Sequence, residues 1–258
     1  RNMASEDCVM IDISKLYCGT TSTGDPLRYG TRAPADCHGN PPHRTATSAR
    51  ERRPIVVWST TRTCNLNCRH CYTDSRNQRY GGELSTEEGV DLIDDLASFG
   101  VPSILFSGGE PLMRRDIFHL IEHAASKDLR PVLSTNGTLI DRRTAHDLKN
   151  AGVVYVGISL DGMEDVNDRF RGERGAFARA MRGFENCRAE GQRVGLRLTL
   201  TKHTYVDLNR IFDFIESEGI NRACFYHLVY SGRGADIFAD DCSHRQTREA
   251  MDIILSRG

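Results

Sequence analysis

Ser103-Ile104-Leu105-Phe106-Ser107-Gly108-Gly109-Glu110-Pro111 sets an apolar run of strand length directly against a polar, glycine-rich loop. The period then changes, and Ile117, Leu120, Ile121 and Ala124 fall on one face of a helix. The next apolar run, Pro131–Leu133, ends in Ser134-Thr135-Asn136-Gly137. Strand, polar loop, helix and strand again is the repeating unit of a parallel sheet, because parallel neighbours need a long crossover.

The same unit recurs in both directions. Upstream lies Ile55–Trp58, followed by a helix that starts with the capping pair Ser85 and Glu88. That helix buries Val90, Ile93, Leu96 and Ala97 and stops at Gly100. Downstream are the runs Val153–Ile158, Val194–Leu200 and Cys224–Tyr230. Helical periods start at Asp141, cover Phe177 to Phe184, and start again at Asp207 and Ser243; Gly152, Gly191 and Gly219 close the first three. The strand runs are continuous rather than alternating, as in strands buried on both faces. Six units predict an α/β fold, a partial, six-unit β/α barrel with a parallel sheet inside and helices outside, two units short of a closed barrel. A doubly wound sheet is the alternative. Residues 54–258 form this barrel domain. Residues 1–53 read as an irregular N-terminal segment, since Gly19–Arg53 is rich in Gly, Pro, Thr, Ser and Arg without apolar period, although Val9–Tyr17 has the alternation of a short strand.

At 258 residues the chain can bury one sizeable core. A formal charge of −1 gives no handle for nucleic acid or an anionic membrane. No apolar run reaches the ~18 residues of a membrane span, and no signal-peptide core is found, so a cytoplasmic location is expected. Nine cysteines in a reducing compartment then point to metal or redox chemistry rather than disulfides. Only Lys15, Lys127, Lys149 and Lys202 are lysines. The arginine excess fits carboxylate recognition, and a biased genome composition accounts for it equally well.

Ligands of parallel α/β sheets sit at the carboxyl ends of the strands. Those ends carry Thr63-Cys64-Asn65-Leu66-Asn67-Cys68-Arg69-His70-Cys71-Tyr72, the Gly108-Gly109-Glu110-Pro111 loop, Ser134 to Gly137, Ser159-Leu160-Asp161-Gly162, Thr199 to Thr201, and His227 to Gly234. The polar and glycine-rich segments therefore share one mouth. Three cysteines spaced C-x3-C-x2-C can wrap one side of an iron–sulfur cluster, and no fourth cysteine follows nearby, which leaves one iron open. A zinc site with His70 as fourth ligand is the bland alternative, made awkward by His70 standing directly before Cys71.

Cys64-x3-Cys68-x-His70-Cys71 resembles the signature of the radical S-adenosylmethionine superfamily, with His70 where an aromatic is usual. Gly108-Gly109-Glu110-Pro111 resembles its methionine-binding motif and Ser159-Leu160-Asp161-Gly162 its ribose- and carboxylate-contacting strand end. The resemblance implies a 4Fe–4S cluster on Cys64, Cys68 and Cys71, with no catalytic residue beyond these ligands. It implies S-adenosyl-L-methionine bordered by His70, Gly108, Gly109, Glu110, Ser159 and Asp161. Ser134 and Asn136 are further candidates, for the ribose, with a plain strand-end turn the competing reading, and Arg171 is a candidate for a carboxylate of cofactor or substrate, with a solvated helix-entry charge the alternative. Glu110 is expected to accept from the cofactor's amino group, and Gly108 and Gly109 to let backbone approach the ligand.

Ile13–Gly19, Leu27–Gly30 and Cys224–Tyr230 are similar to the branch that works in alternative heme and heme d1 biosynthesis. That likeness implies an iron tetrapyrrole substrate and removal of acetate groups from didecarboxysiroheme to give Fe-coproporphyrin III. It also implies an electron donor of flavodoxin or ferredoxin type, and a cysteine-rich auxiliary-cluster domain beyond the barrel, of which the sequence to Gly258 shows no more than Cys242. The alternatives are conversion of Fe-coproporphyrin III propionates to vinyls, heme d1 synthesis, and peptide modification by a maturase of the same superfamily. An electron-transfer module would need a fourth cysteine. His227, Tyr230 and Arg233, at the sixth strand's end, are the candidate substrate residues, with His227 as a plain core histidine the competing reading.

Overall fold

The computed structural model describes residues 53–257. The expected irregular segment, the Val9–Tyr17 strand and the likeness at Ile13–Gly19 and Leu27–Gly30 lie outside the described residues. Six strands, β1 (Val56–Thr61), β2 (Ser103–Gly108), β3 (Arg130–Thr135), β4 (Tyr155–Ser159), β5 (Val194–Leu200) and β6 (Ala223–His227), form one sheet in sequence order. Every neighbouring pair is parallel. Sequential order has no point where the winding reverses, which removes the doubly wound alternative and leaves an open barrel of six units.

The crossovers carry helices α1 (Thr86–Phe99), α2 (Ile117–Ser126), α3 (Arg142–Asn150), α4 (Glu164–Arg171), α5 (Ala176–Ala189), α6 (Lys202–Val206) and α7 (Leu208–Ser217), with α8 (His244–Arg257) after β6. Local chemistry sets their ends. Ser85 and Glu88 form a reciprocal capping box on α1, and Gly100 ends it at φ 82°. The Asp141 side chain accepts from Thr144 N at the start of α3. The elements not anticipated, α4, α6 and short 3-10 turns at Pro111–Met113 and Gly232–Asp240, are brief or polar.

Strand period divides the side chains. Ile104, Phe106, Leu133, Val156, Ile158, Leu196 and Leu198 point under the helices into the main core, where Phe177, Phe184 and Ile211 meet them. The opposite face looks into the barrel, where Leu105, Val132 and Tyr155 stand in register as an apolar floor. Above that floor the inward residues turn polar, which is where the site lies. β6 ends at His227, earlier than the run to Tyr230 suggested, because the chain bends there onto the cysteine loop.

Candidate functional site

The cysteine loop leaves β1 and is tied down by backbone. Cys64 N donates to Arg76 O at 3.0 Å, and Arg69 N to Phe170 O at 2.8 Å. From the other side, Gly109 N donates to Thr61 O at 2.7 Å and Glu110 N to Thr63 O at 2.9 Å. A Cβ on Gly108 would lie 2.2 Å from Thr61 O, and one on Gly109 2.5 Å from Thr63 O. Backbone at the end of β1 and the start of the cysteine loop thus approaches both glycines too closely for a side chain.

The thiols pack together with Leu66, with Cys64 and Cys68 buried and Cys71 half-buried. Each sulfur already has a donor. Leu66 N stands 3.4 Å from Cys64 Sγ, Ser75 N 3.3 Å from Cys71 Sγ, and Arg171 Nη1 3.8 Å from Cys68 Sγ. Burial pushes Cys64 up to about 12 and also raises Cys68, despite Arg171 beside it. At Cys71 burial is outweighed by Thr73, Ser75 N and Arg233, and the value falls below that of an ordinary thiol. Three thiols with donors on their sulfurs suit a soft, thiolate-bound cluster, since a bound iron would deprotonate them outright.

The thiols face a cavity of about 300 Å³ at the strand ends. Of the residues expected around a cofactor, His70, Gly108, Gly109, Ser134, Asn136, Ser159 and Arg171 border it. His70 Nδ1, Arg171 Nε and Arg197 Nε are buried without a protein partner. These nitrogens on three lining residues are left for a partner from outside the protein, a polar ligand or water.

Glu110 and Asp161 do not reach that surface. Glu110 is fully buried behind it. Its carboxylate accepts from Thr135 Oγ1 at 2.8 Å, Asn136 N at 2.8 Å and Leu112 N at 3.1 Å, so it staples the ends of β2 and β3 together. Burial pushes it up to about 7 against the pull of those donors. Asp161, also fully buried, sits 2.6 Å from Arg171 Nη2 and 3.1 Å from His70 Nε2, while Thr199 N donates to its Oδ1 at 2.9 Å. Burial would raise its carboxyl, but Arg171 and His70 hold it well below the usual range. One carboxylate thereby orients two cavity residues and joins β4, β5, α4 and the cysteine loop. Arg171 is not a solvated helix charge, because it closes α4 and is buried.

The candidate substrate residues separate. His227 borders the cavity. Tyr230 is 60% exposed, lies outside the lining, and donates its hydroxyl to Asp241. Arg233 turns away from the opening. Its Nε donates to Cys68 O at 2.7 Å, and its Nη1 to Asp74 at 2.6 Å and to Ser75 O at 3.0 Å. Thr199, placed at the mouth by its strand end, lines the cavity too, and the sequence reading missed Arg197 and Tyr226, which also border it. The usable signal was an arginine at an inward position of an otherwise apolar strand.

An open β/α barrel with three clustered thiols and a glycine-rich neighbouring loop at its mouth defines a class of cluster-dependent enzymes. The model of the radical SAM superfamily matches residues 58–215, and the chain belongs to that family. Its members use a 4Fe–4S cluster and S-adenosylmethionine. Among curated relatives, the chain is 53% identical to the Fe-coproporphyrin III synthase of Methanosarcina barkeri, over 96% of this chain and 61% of that protein. It is 40% identical to the pre-heme d1 synthase of Dinoroseobacter shibae, over 80% of this chain and 51% of that one. The chain thus spans between half and two thirds of these relatives' lengths. Streptococcus suis SuiB bound to S-adenosylmethionine shares the fold with a TM-score of 0.63 at 20% identity, over 79% of this chain and 48% of that one.

Proposed function

We propose that the chain is the radical barrel of an enzyme that removes acetate groups from didecarboxysiroheme to give Fe-coproporphyrin III. The observation that carries this reading is the 53% identity to a relative named for that product, spread over nearly the whole chain. The cavity agrees in kind, for two arginines and His227 face a space bounded at one end by thiols.

Cys64, Cys68 and Cys71 would hold the cluster, which supplies the electron for reductive cleavage of S-adenosylmethionine and so for hydrogen abstraction from the substrate. His70, Ser134, Asn136, Ser159 and Arg171 would border the cofactor. Glu110 and Asp161 serve from behind, the first by fixing the Thr135–Asn136 turn and the second by orienting Arg171 and His70. A flavodoxin- or ferredoxin-type donor and a cytoplasmic setting complete the proposal. No described helix is long and apolar enough to cross a membrane.

The test is anaerobic turnover of the full-length protein with didecarboxysiroheme, S-adenosylmethionine and reductant. Loss of acetate groups supports the reading. Vinyl formation from Fe-coproporphyrin III moves the assignment to heme synthesis. Absence of any iron-tetrapyrrole product overturns it.

A further inference from the structure

Two arginines border the cavity, and only one has its charge answered. Arg171 is paired with Asp161 and stands beside the thiols. Arg197 has no carboxylate within ion-pair distance among the described residues. It projects inward from the middle of β5, in register with Ser159 on β4 and Cys224 on β6. Its Nη1 donates to Ser134 Oγ at 3.0 Å, while its Nε is buried with no partner.

The barrel is built around this side chain. A Cβ on Gly157 would lie 2.3 Å from Arg197 Nε and 3.0 Å from its Cδ, so the glycine on the neighbouring strand leaves the groove in which the guanidinium lies. A half-buried cation without a counter-charge is costly, and a sheet position in register with Ser159 would accept an apolar residue at lower cost. Arg197 borders the cavity, and a guanidinium is the group that binds a carboxylate with two parallel hydrogen bonds.

We propose that Arg197 is a specificity residue that binds a carboxylate side arm of the tetrapyrrole substrate inside the barrel. This rests on the function proposed above. The substrate is preferred to the cofactor as the source of the carboxylate because Arg171 already stands at the cysteine loop beside Cys68, whereas Arg197 lies on β5 beside Gly157 and Tyr226.

The test uses cluster-loaded full-length protein, with Arg197→Gln, Arg197→Ala and Arg197→Lys beside wild type. Didecarboxysiroheme and its fully esterified form are titrated by their Soret bands, and S-adenosylmethionine by calorimetry. Arg197→Gln and Arg197→Ala are expected to weaken didecarboxysiroheme binding about 10- to 100-fold, the loss of one charged hydrogen-bonded contact. Cofactor affinity should stay within about twofold and Arg197→Lys should recover part of the loss, at the level of a point charge in place of a fork. The ester should bind wild type and Arg197→Gln equally. Equal didecarboxysiroheme affinity in wild type and Arg197→Gln overturns the inference and leaves the proposed function standing. Loss of cofactor binding in place of substrate binding also overturns it, by giving the carboxylate to S-adenosylmethionine. A wild type that binds no iron tetrapyrrole overturns the proposed function and this substrate with it.

Discussion

Arg233 Nε donates to the carbonyl of Cys68 at 2.7 Å, across 165 residues of chain. The same segment adds Arg233 N to Cys71 O at 2.9 Å and Ser231 Oγ to Tyr72 O at 3.2 Å. A Cβ on Gly232 would lie 2.5 Å from Cys71 O, so the approach admits no side chain there. The two ends of an open sheet are thereby joined through the loop that carries the thiols, and loop geometry becomes dependent on the end of β6.

Arg233→Ala should therefore act on the cluster loop. Loss of the bond to the Cys68 carbonyl is expected to cost about 1.5–3 kcal/mol, as for a hydrogen bond to a charged donor. Reconstituted iron should fall and be lost faster to a chelator, and Arg233→Lys should restore only part because a lysine cannot span Cys68, Asp74 and Ser75 together. Full, chelator-resistant iron in Arg233→Ala would show that the clamp does not govern the loop.

Glu110 gives a pH prediction for the cluster-free protein. Burial raises its folded value to about 7 from an ordinary 4.5. Between those values the folded state holds the proton more tightly than the unfolded chain. The contribution is thus full below about pH 4.5 and is lost as pH rises through about 7, by roughly 3–4 kcal/mol at ~1.4 kcal/mol per pKa unit. Glu110→Gln should lower stability overall, because a side-chain amide meets three donors, and should flatten the fall between pH 5.5 and 8. Denaturant unfolding at those two pH values measures it; parallel slopes for the two proteins would contradict the assignment.

Much of the fold is legible in the sequence. Val194–Leu200 is a strand with the bounds its apolar run suggested, and α1 begins and ends where Ser85, Glu88 and Gly100 placed it. Such signals are local. α4 escaped because its buried residues include Asn167 and Arg171 with Phe170, and apolar periodicity cannot see a polar face that is buried for a site. The thiols, the glycine loop and the Ser159–Asp161 strand end were legible as motifs, but motifs do not say which side chains reach a cavity. Glu110 and Asp161 stand behind it, and Arg233, a cation after a strand end, turns back onto the cysteine loop. Direction of a side chain depends on tertiary contacts made far along the sequence.

The glycine loop can be tested by contrast. A Cβ at Gly109 meets backbone, Thr63 O at 2.5 Å and Arg62 O at 2.6 Å, which cannot move aside as a flexible side chain can. Gly109→Ala should destabilise by about 1–3 kcal/mol, the range for overpacking, and should reduce cluster loading by displacing the loop. Gly81 has nothing within 4 Å of its would-be Cβ and no positive φ, so Gly81→Ala should leave the melting temperature unchanged or raise it slightly. Equal behaviour of the two variants in thermal unfolding would refute the close-approach argument.

Among the described cysteines, the three of the loop and Cys187 differ in what surrounds them. Cys64, Cys68 and Cys71 share one cavity and have donors on their sulfurs. Cys187 is buried within α5 among apolar residues, its thiol pushed up to about 12 by burial alone, as for a small hydrophobe. Anaerobic reconstitution should load about four irons for the barrel cluster, by the stoichiometry of a 4Fe–4S centre. Cys64→Ala, Cys68→Ala and Cys71→Ala should each abolish that cluster's absorption and its S-adenosylmethionine cleavage. Cys187→Ala should keep both and lose about 1 kcal/mol of stability, the usual cost of trimming a packed side chain. Iron and sulfide assays with visible spectra read the difference. A full barrel cluster in any one of the three loop variants would remove that thiol from the ligand set, and loss of the cluster in Cys187→Ala would mean that integrity of the helical layer, rather than the thiols alone, controls loading.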